Sequence, residues 1–341
     1  MKNQAVYFKG HSSSEAKNRE TNKSTSSPFS VIMRKEVADI VHSWRFVVLL
    51  VLMVLTFLGA MYGSLSNIGN AISDSREHHT HLYMYLKLLT TTDGTLPPFH
   101  IFISFLGPLL GICLGFDAMN AEQNNGTLIR LMAQPIYRDN VLLAKFTSSL
   151  VVIGALFLSL ALLMMGGGLL ITGVRIEAQE FLRIIFFVII STIYVAFWIG
   201  LSILLSIKFR QAAASALTAI GIWMFFTVFY PMLVNLIVKA FMPDPAFLSA
   251  TQVMSYNHII ILLRGLSPGQ TYSDGVVTLL MPSVRSLGPL TMQQMAGAIP
   301  SPLSLRESLM VVWPQVTGLV AATLFCFALS YYLFMRKEVR T

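Results

Sequence analysis

Six long stretches of the chain are almost entirely apolar, and polar or mixed segments separate them. Each stretch is continuous, whereas strands of a membrane barrel alternate apolar and polar residues over short segments. A helix needs roughly 20 apolar residues to cross a hydrocarbon core about 30 Å thick. The pattern therefore predicts an all-α polytopic membrane protein with six transmembrane helices. The predicted spans are 46–62, 99–116, 146–172, 184–207, 211–238 and 309–335.

The remaining segments complete the predicted organisation. Residues 1–28 are rich in Ser, Lys and Asn, which is typical of a disordered tail. Residues 29–45 interleave apolar and charged positions, which predicts an amphipathic helix in the membrane interface. The first apolar run follows a long polar tail without a small-residue cleavage site, so we interpret it as an uncleaved span. The six-span domain then covers 46–335, with outer loops at 67–98 and 239–308, an inner loop at 117–145 and a final tail at 336–341.

The outer segment before the sixth span, 239–308, mixes prolines with short apolar stretches. We expect short helices there that pack on the outer leaflet or dip into it. Such helices could cap an exit path.

Composition excludes several other classes of protein. The chain has 341 residues, of which 55% are apolar and only 12% are charged, against about 25% charged in ordinary soluble domains. Despite the net charge of +8, this argues against a soluble enzyme, a disordered protein and a nucleic-acid binder. Two cysteines cannot form a disulfide framework or a cysteine-based zinc site.

The distribution of basic residues predicts the orientation in the membrane. With both termini on the cytoplasmic side, 16 of the 24 Lys and Arg residues lie in cytoplasmic segments. Short cytoplasmic segments are enriched in Lys and Arg. The sequence therefore predicts cytoplasmic termini, and it relates the basic charge to contact with anionic membrane lipid and not to nucleic acid.

The apolar runs contain no ionisable residue except His100, near the start of the second. Ion-coupled transporters usually carry buried Asp, Glu, His or Arg on their pathway. The pattern therefore disfavours a secondary transporter and an intramembrane acid–base enzyme. A self-sufficient transporter or channel, and a membrane scaffold without transport activity, are the alternative functions.

A stripe of small residues runs along the second predicted span at helical spacing. It consists of Gly107, Gly111 and Gly115, and such stripes let helix backbones approach closely. The stripe is either a packing surface within the chain or a surface that repacks during transport.

The inner loop 117–145 carries the most informative pattern. Residues 124–126 predict a turn or helix start, 127–133 a two-turn amphipathic helix, and Pro135 its end. A short helix held under the membrane would suit the binding of a soluble partner.

This loop resembles the cytoplasmic loop of ABC-2 type permeases, the transmembrane subunits of ATP-binding cassette (ABC) transporters. Six spans, an amphipathic helix before the first and a basic tail after the sixth agree with the resemblance, which covers about 30–340. Residues 266–274 are similar to the branch of gliding-motility and nitrous-oxide-reductase maturation permeases. The matching loop residues are Asp117, Glu122, Gly126, Thr127, Leu128, Pro135, Ile136, Arg138 and Lys145.

The resemblance implies a coupling helix at about 122–135 that docks in a groove of a separate ATPase subunit. Glu122 and Arg138 are expected to make polar contacts or to brace the loop, and Gly126 and Pro135 to set its shape. Alternatively, these residues only form a stable turn at the membrane surface. Lys208 and Arg210 form either a second coupling point or a simple basic anchor.

The resemblance also implies the function. It suggests the permease subunit of an ABC exporter in a bacterial or archaeal cytoplasmic membrane, with two ATPase subunits and a second copy or a sister permease. The sequence has no Gly-x-x-x-x-Gly-Lys-Ser/Thr phosphate loop. Residues 266–270, Leu-Ser-Pro-Gly-Gln, resemble the Leu-Ser-Gly-Gly-Gln signature of ABC ATPases, and we interpret this similarity as coincidence. We therefore expect no enzymatic activity and no cofactor in this chain, with ATP and Mg in the partner. The uncharged spans suit an apolar or amphipathic cargo, which the sequence does not identify.

Three histidines lie close together in the first predicted outer loop. His78, His79 and His81 could bind a metal ion, although such sites need the right geometry and usually further ligands. We expect a solvated loop without metal.

Overall fold

The computed structural model describes residues 28–74, 83–90, 96–126, 138–241, 259–282 and 303–336, and all regular structure in these ranges is helical. Six helices are long and apolar enough to cross a membrane, which confirms the predicted fold class and number of spans. Residues 259–265 are also helical. The helices are α1 (Pro28–Val41), α2 (Trp44–Asp74), α3 (Met84–Thr90), α4 (Phe99–Gly115), α5 (Asn120–Asn124), α6 (Arg138–Thr172), α7 (Ala178–Lys208), α8 (Ala212–Met224), α9 (Tyr230–Phe241), α10 (Pro268–Leu280) and α11 (Leu305–Arg336).

Two of the spanning helices begin well before the apolar runs that predicted them. Helix α6 starts at Arg138, eight residues before its run, and includes Lys145, and the first turns of α7 include Glu180 and Arg183. All three side chains are buried. The apolar runs are free of Asp, Glu, Lys and Arg as predicted, but the helices that contain them bring charge into the packed bundle at both ends.

Helix α7 lies at the centre of the bundle. In its most apolar window 67% of the residues are buried, against 17% in the span formed by α8 and α9. It packs against α4, α6, α8, α10 and α11, and Tyr194 and Trp198 in its middle are each 1% exposed. Movements of the other spans would therefore be transmitted through α7.

The fifth span is interrupted by a π-helical turn. Residues Phe225–Phe229 join α8 to α9 within the range Ala212–Ala240. The prediction of one continuous apolar helix is correct in extent but misses this turn. A π turn inserts one extra residue into the helix, and hydrophobicity alone does not reveal it.

A proline in α4 is compensated by a tyrosine on α7. Pro108 lies inside the helix and has no N–H, so the carbonyl of Ser104, four residues earlier, lacks its helical donor. The hydroxyl of Tyr194 donates to this carbonyl at 2.9 Å. The break in the ladder thereby becomes a link between α4 and α7.

Residues 259–280 form a segment that enters the bundle and returns. The Tyr272 and Tyr194 rings stack 4.4 Å apart, and the Tyr272 hydroxyl lies 3.0 Å from that of Ser191. Ser191 is about 20 Å along α7 from its first residue at 1.5 Å per residue, which is near the middle of the span. The helices expected between the fifth and sixth spans are therefore present, and α10 dips deeply between the spans.

Helix α3 is a buried element that the sequence pattern did not predict. Most of its residues are buried, and Tyr85 and Leu86 are each 1% exposed. It packs against α2, α4, α7 and α10. A seven-residue apolar helix between polar segments is too short to be distinguished from a loop by periodicity.

Candidate functional site

A buried lysine joins three helices at the end of the bundle that carries α1 and α5. Lys145 Nζ on α6 lies 3.0 Å from both carboxylate oxygens of Glu36 on α1 and 2.8 Å from Oε1 of Glu122 on α5. The three residues are 7–9% exposed. We name this group the brace. Because a buried charge is tolerated only when it is paired, the brace fixes α1 and α5 against the start of α6.

A second ion pair lies beside the brace. Arg45 at the start of α2 pairs with Asp117 after α4, and its guanidinium lies 5.0 Å from the centre of the Phe116 ring. Both ion pairs line a cavity of about 600 Å³. The lining of this cavity includes both acidic and basic side chains.

A reciprocal cap connects α5 with the end of α7. The Ser206 hydroxyl accepts the backbone N–H groups of Met119 (3.1 Å) and Asn120 (3.2 Å). With its amide oriented to satisfy its neighbours, Asn120 donates to the carbonyls of Ser206 (2.8 Å) and Phe209 (2.6 Å). The orphan N–H groups of one helix and the orphan carbonyls of the other are thus satisfied by each other's side chains. The two predicted coupling segments are therefore physically joined.

Two of the predicted coupling residues, Glu122 and Gly126, lie in or directly after α5. Glu122 lies in the brace and is almost fully buried, so its position fits bracing and not a surface contact. Gly126 ends α5 with φ +66°, a left-handed conformation that suits glycine at a helix C-terminus. The turn at 125–126 agrees with the turn predicted at 124–126, and the remainder of the predicted coupling helix up to Pro135 lies outside the described residues.

The other predicted residues lie at or beyond the edges of this site. Lys208 ends α7, and Lys208 and Arg210 are both exposed next to the reciprocal cap. Arg138 begins α6. Thr127, Leu128 and Pro135 lie outside the described residues, as do His78, His79 and His81.

Sequence reasoning missed several residues that hold this site together. Glu36 and Asn120 were not singled out, and neither was Ser206. Lys145 was quoted only as part of the loop pattern. One available signal was that Lys145 is the last charged residue before a long apolar run, which places it at the edge of the packed spans.

The glycine stripe of α4 packs directly against α7. A Cβ atom added at Gly111 would lie 2.7 Å from the Cβ of Trp198, and one at Gly115 would lie 2.7 Å from the Cβ of Ser202. At Gly107 the nearest atom would be a methyl of Val195 at 3.1 Å. The two backbones therefore approach to a distance that only glycine permits over two turns.

The opposite end of α7 holds α3, α10 and α11 through two buried side chains, Glu180 and Arg183. The Glu180 carboxylate accepts hydrogen bonds from the backbone N–H groups of Tyr85 (3.0 Å) and Glu177 (3.4 Å). It therefore supplies an acceptor for one N–H group at the start of α3 and one at the start of α7. Burial raises the pKa of Tyr85, so its hydroxyl stays protonated and donates to the Val174 carbonyl at 2.6 Å.

Arg183, one turn further along α7, is fully buried. It donates to the carbonyls of Leu279 (2.7 Å) and Leu303 (2.8 Å) and to the hydroxyl of Ser308 (3.0 Å). The guanidinium therefore joins the end of α10 and the start of α11 to α7.

Within the described ranges, no group of three or more His, Cys, Asp and Glu side chains could hold a metal ion. His100 is buried, and its Nδ1 lies 3.1 Å from the carbonyl of Leu89. It therefore links the start of α4 to the end of α3.

The comparison with known families agrees with this architecture. The family described as "ABC-2 family transporter protein" matches residues 30–339, which is most of the chain. The chain belongs to the ABC-2 transporter family. It is a multi-pass membrane protein of the ABC permease type, as the resemblance predicted.

Two curated relatives add a narrower similarity. Proteins named "Probable ABC transporter permease protein NosY" are 29% identical over 149 residues in Stutzerimonas stutzeri and 26% identical over 148 residues in Pseudomonas aeruginosa. Each match covers 42% of this chain and 52% of the relative, so the match spans about half the length of these relatives. They agree with the predicted similarity to the branch of nitrous-oxide-reductase maturation permeases.

Proposed function

We propose that this ABC-2 family member is the transmembrane subunit of an ABC exporter. In this proposal, separate cytoplasmic ATPase subunits bind ATP and Mg and hydrolyse ATP, while this chain has no enzymatic activity. The observation that supports it most directly is the family match over 30–339, combined with the buried brace, which includes Glu122 of the predicted coupling loop.

The brace and the reciprocal cap would transmit the movement of an ATPase to the spans. The brace links α1 and α5 to α6, and the cap links α5 to α7. A force applied at loop 117–145 or at residues 208–210 would therefore move the starts of α6 and α8 and the end of α7 together. Small displacements of a packed element can switch a bundle between discrete arrangements.

In this role Glu122 positions the loop through Lys145. Lys208 and Arg210 are exposed and are the side chains that would contact the partner. The polar cavity between α1 and α5 gives the partner a surface with both signs of charge.

We further propose that two permease chains assemble around the cargo, as a homodimer or with a sister subunit. The apolar windows of α2, of α8 with α9, and of α11 are only 17–28% buried. Helices that are apolar on most faces suit contact with lipid or with another subunit. The same surfaces suit an apolar or amphipathic cargo.

The test is to express the chain with a candidate ABC ATPase partner, purify both from detergent and reconstitute them in nanodiscs. We expect the two proteins to copurify and the permease to stimulate ATP hydrolysis. Glu122→Ala combined with Arg138→Ala should weaken both readouts, and so should Leu128→Asp. The matched control is Arg175→Ala, an exposed arginine near the opposite end of the bundle.

Each other outcome points to a specific alternative. Unchanged binding and hydrolysis in both loop variants would overturn the assigned coupling site. Transport by the purified chain under an ion gradient alone would indicate a secondary transporter. Binding of the ATPase without cargo movement would indicate a scaffold subunit.

A further inference from the structure

A small pocket of mixed polar and apolar lining lies between α9 and the segment that enters the bundle. It has a volume of about 240 Å³ and is lined by residues of the fifth span, including Tyr230, Val234 and Asn235, and by Arg264, Ser267 and Gln270. Ser267 Oγ contacts the carbonyl of Phe226 in the π turn at 3.5 Å. Phe226 is about 21 Å along the fifth span from its first residue at 1.5 Å per residue. The base of the pocket is therefore close to the middle of the bundle.

Arg264 supplies the positive charge of this pocket. It is half-buried, and its Nη2 donates to Oδ1 of Asn235 at 3.3 Å. Within the described ranges it forms no ion pair within 4.0 Å. The nearby carboxylate of Asp274 accepts a hydrogen bond from Gln270 at 2.7 Å instead. A guanidinium has five N–H donors, and among the described residues Asn235 accepts from one of them.

Arg264 contacts Asn235, about 35 Å along the fifth span at 1.5 Å per residue, so its charge lies near the end of that span, where long basic side chains reach the polar interface. The other pocket walls are neutral: Pro231 and Val234 are apolar, and Ser267 and Gln270 carry uncharged polar groups. An anionic group would therefore complement the lining, with an apolar chain lying along the α9 side.

We propose that this pocket binds the acidic headgroup of an amphipathic molecule, through the guanidinium of Arg264. Pockets for whole drug-sized ligands occupy about 300–1,000 Å³, so this smaller volume suits a phosphate or carboxylate headgroup and not an entire cargo molecule. As a step of cargo passage, the site rests on the proposed transport function. The binding of an acidic amphiphile is a property of this chain alone.

The test measures binding to the purified permease in phosphatidylcholine nanodiscs, without any ATPase. The probes are dioctanoyl phosphatidylglycerol, dioctanoyl phosphatidylcholine and inorganic phosphate, titrated by calorimetry against empty nanodiscs. We expect phosphatidylglycerol to bind and the zwitterionic lipid not to bind. Arg264→Gln should weaken phosphatidylglycerol binding about tenfold or more, while Arg264→Lys keeps most of it and Arg175→Gln is unchanged.

A second variant guards against misfolding of Arg264→Gln. Asn235 is exposed at the pocket edge, so Asn235→Trp should fill the pocket without removing its charge and should also reduce binding. Binding of inorganic phosphate as tight as that of phosphatidylglycerol would identify a simple anion site and overturn the amphiphile proposal. Equal phosphatidylglycerol binding by wild type, Arg264→Gln and Asn235→Trp would overturn the site itself. Neither result would alter the ATPase copurification test.

Discussion

The ammonium group of Lys145 lies 2.8 Å from Oε1 of Glu122, across the loop that joins the second and third spans. The same nitrogen contacts the carboxylate of Glu36, which is 109 residues away in sequence. One cation is thus shared by two buried carboxylates. Because the group has two negative charges and one positive, loss of the lysine would leave two like charges together, whereas loss of one acid would leave a simple pair.

This asymmetry predicts that Lys145→Met lowers the stability of the fold far more than Glu122→Gln does. Removing one partner of a buried pair costs about 3–5 kcal/mol, and here two carboxylates lose their counter-ion. We expect Lys145→Met to lower the thermal stability in detergent strongly, and Glu122→Gln to lower it slightly. Intrinsic fluorescence during a temperature ramp measures both.

The control for Lys145→Met is Lys208→Met, which removes an exposed lysine at the same end of the bundle. It should leave the unfolding temperature unchanged. If Lys145→Met were as stable as this control, the brace would not hold the helices together.

The reciprocal cap gives a second prediction with an internal control on the same helix. Ser206→Ala removes the acceptor of two buried N–H groups, at Met119 and Asn120. Ser202→Ala removes a donor to the Ile112 carbonyl, which still accepts the N–H of Phe116 at 2.9 Å. Unsatisfied buried groups cost about 1–3 kcal/mol each, so Ser206→Ala should destabilise the protein and Ser202→Ala should not.

The same two variants should differ in their effect on the partner. We expect Ser206→Ala to reduce stimulation of the copurified ATPase, because loop 117–145 would no longer be fixed to the end of α7. Equal stimulation by both serine variants would show that the cap contributes nothing to coupling.

The sequence predicts some of these features and not others for physical reasons. Long apolar runs show the six spans because a membrane helix needs a length that few other elements have. Glu122 could be found through the loop pattern, but its partner Glu36 could not, since pairing over 109 residues depends on how helices pack. The sequence pattern also could not predict helix α3 or the depth of α10. Short apolar stretches between polar residues and prolines are compatible with a surface loop as well as with a buried helix.

The glycine stripe predicts a graded series of stabilities. Gly111→Ala and Gly115→Ala would each place a Cβ 2.7 Å from another Cβ, while Gly107→Ala would meet a methyl at 3.1 Å. Overpacking of this kind costs about 1–3 kcal/mol. We expect Gly107→Ala to have a higher unfolding temperature in detergent than either Gly111→Ala or Gly115→Ala.

The control for this series is Gly221→Ala on α8, where an added Cβ meets nothing within 4 Å. Alanine favours a helix over glycine by about 1 kcal/mol, so this variant should be neutral or stabilising. Equal stability of Gly111→Ala and Gly221→Ala would contradict the close approach of α4 and α7.

The final prediction concerns Arg183, which joins α10 and α11 to α7. Arg183→Lys keeps the positive charge but loses the planar fork that reaches Leu279, Leu303 and Ser308 at once. At least one buried carbonyl would then lose a charged donor, at a cost of about 1–3 kcal/mol. Residues 268–280 should therefore exchange amide hydrogens about tenfold faster, as measured by mass spectrometry in nanodiscs.

The control is Arg175→Lys, which changes an exposed arginine near the same end of the bundle and should leave the exchange rate of residues 268–280 unchanged. Because the brace lies at the opposite end of the bundle, copurification of the ATPase should be unaffected. Unchanged exchange in 268–280 for Arg183→Lys would mean that its three contacts do not hold α10 in place, and that stacking of Tyr272 on Tyr194 suffices to do so.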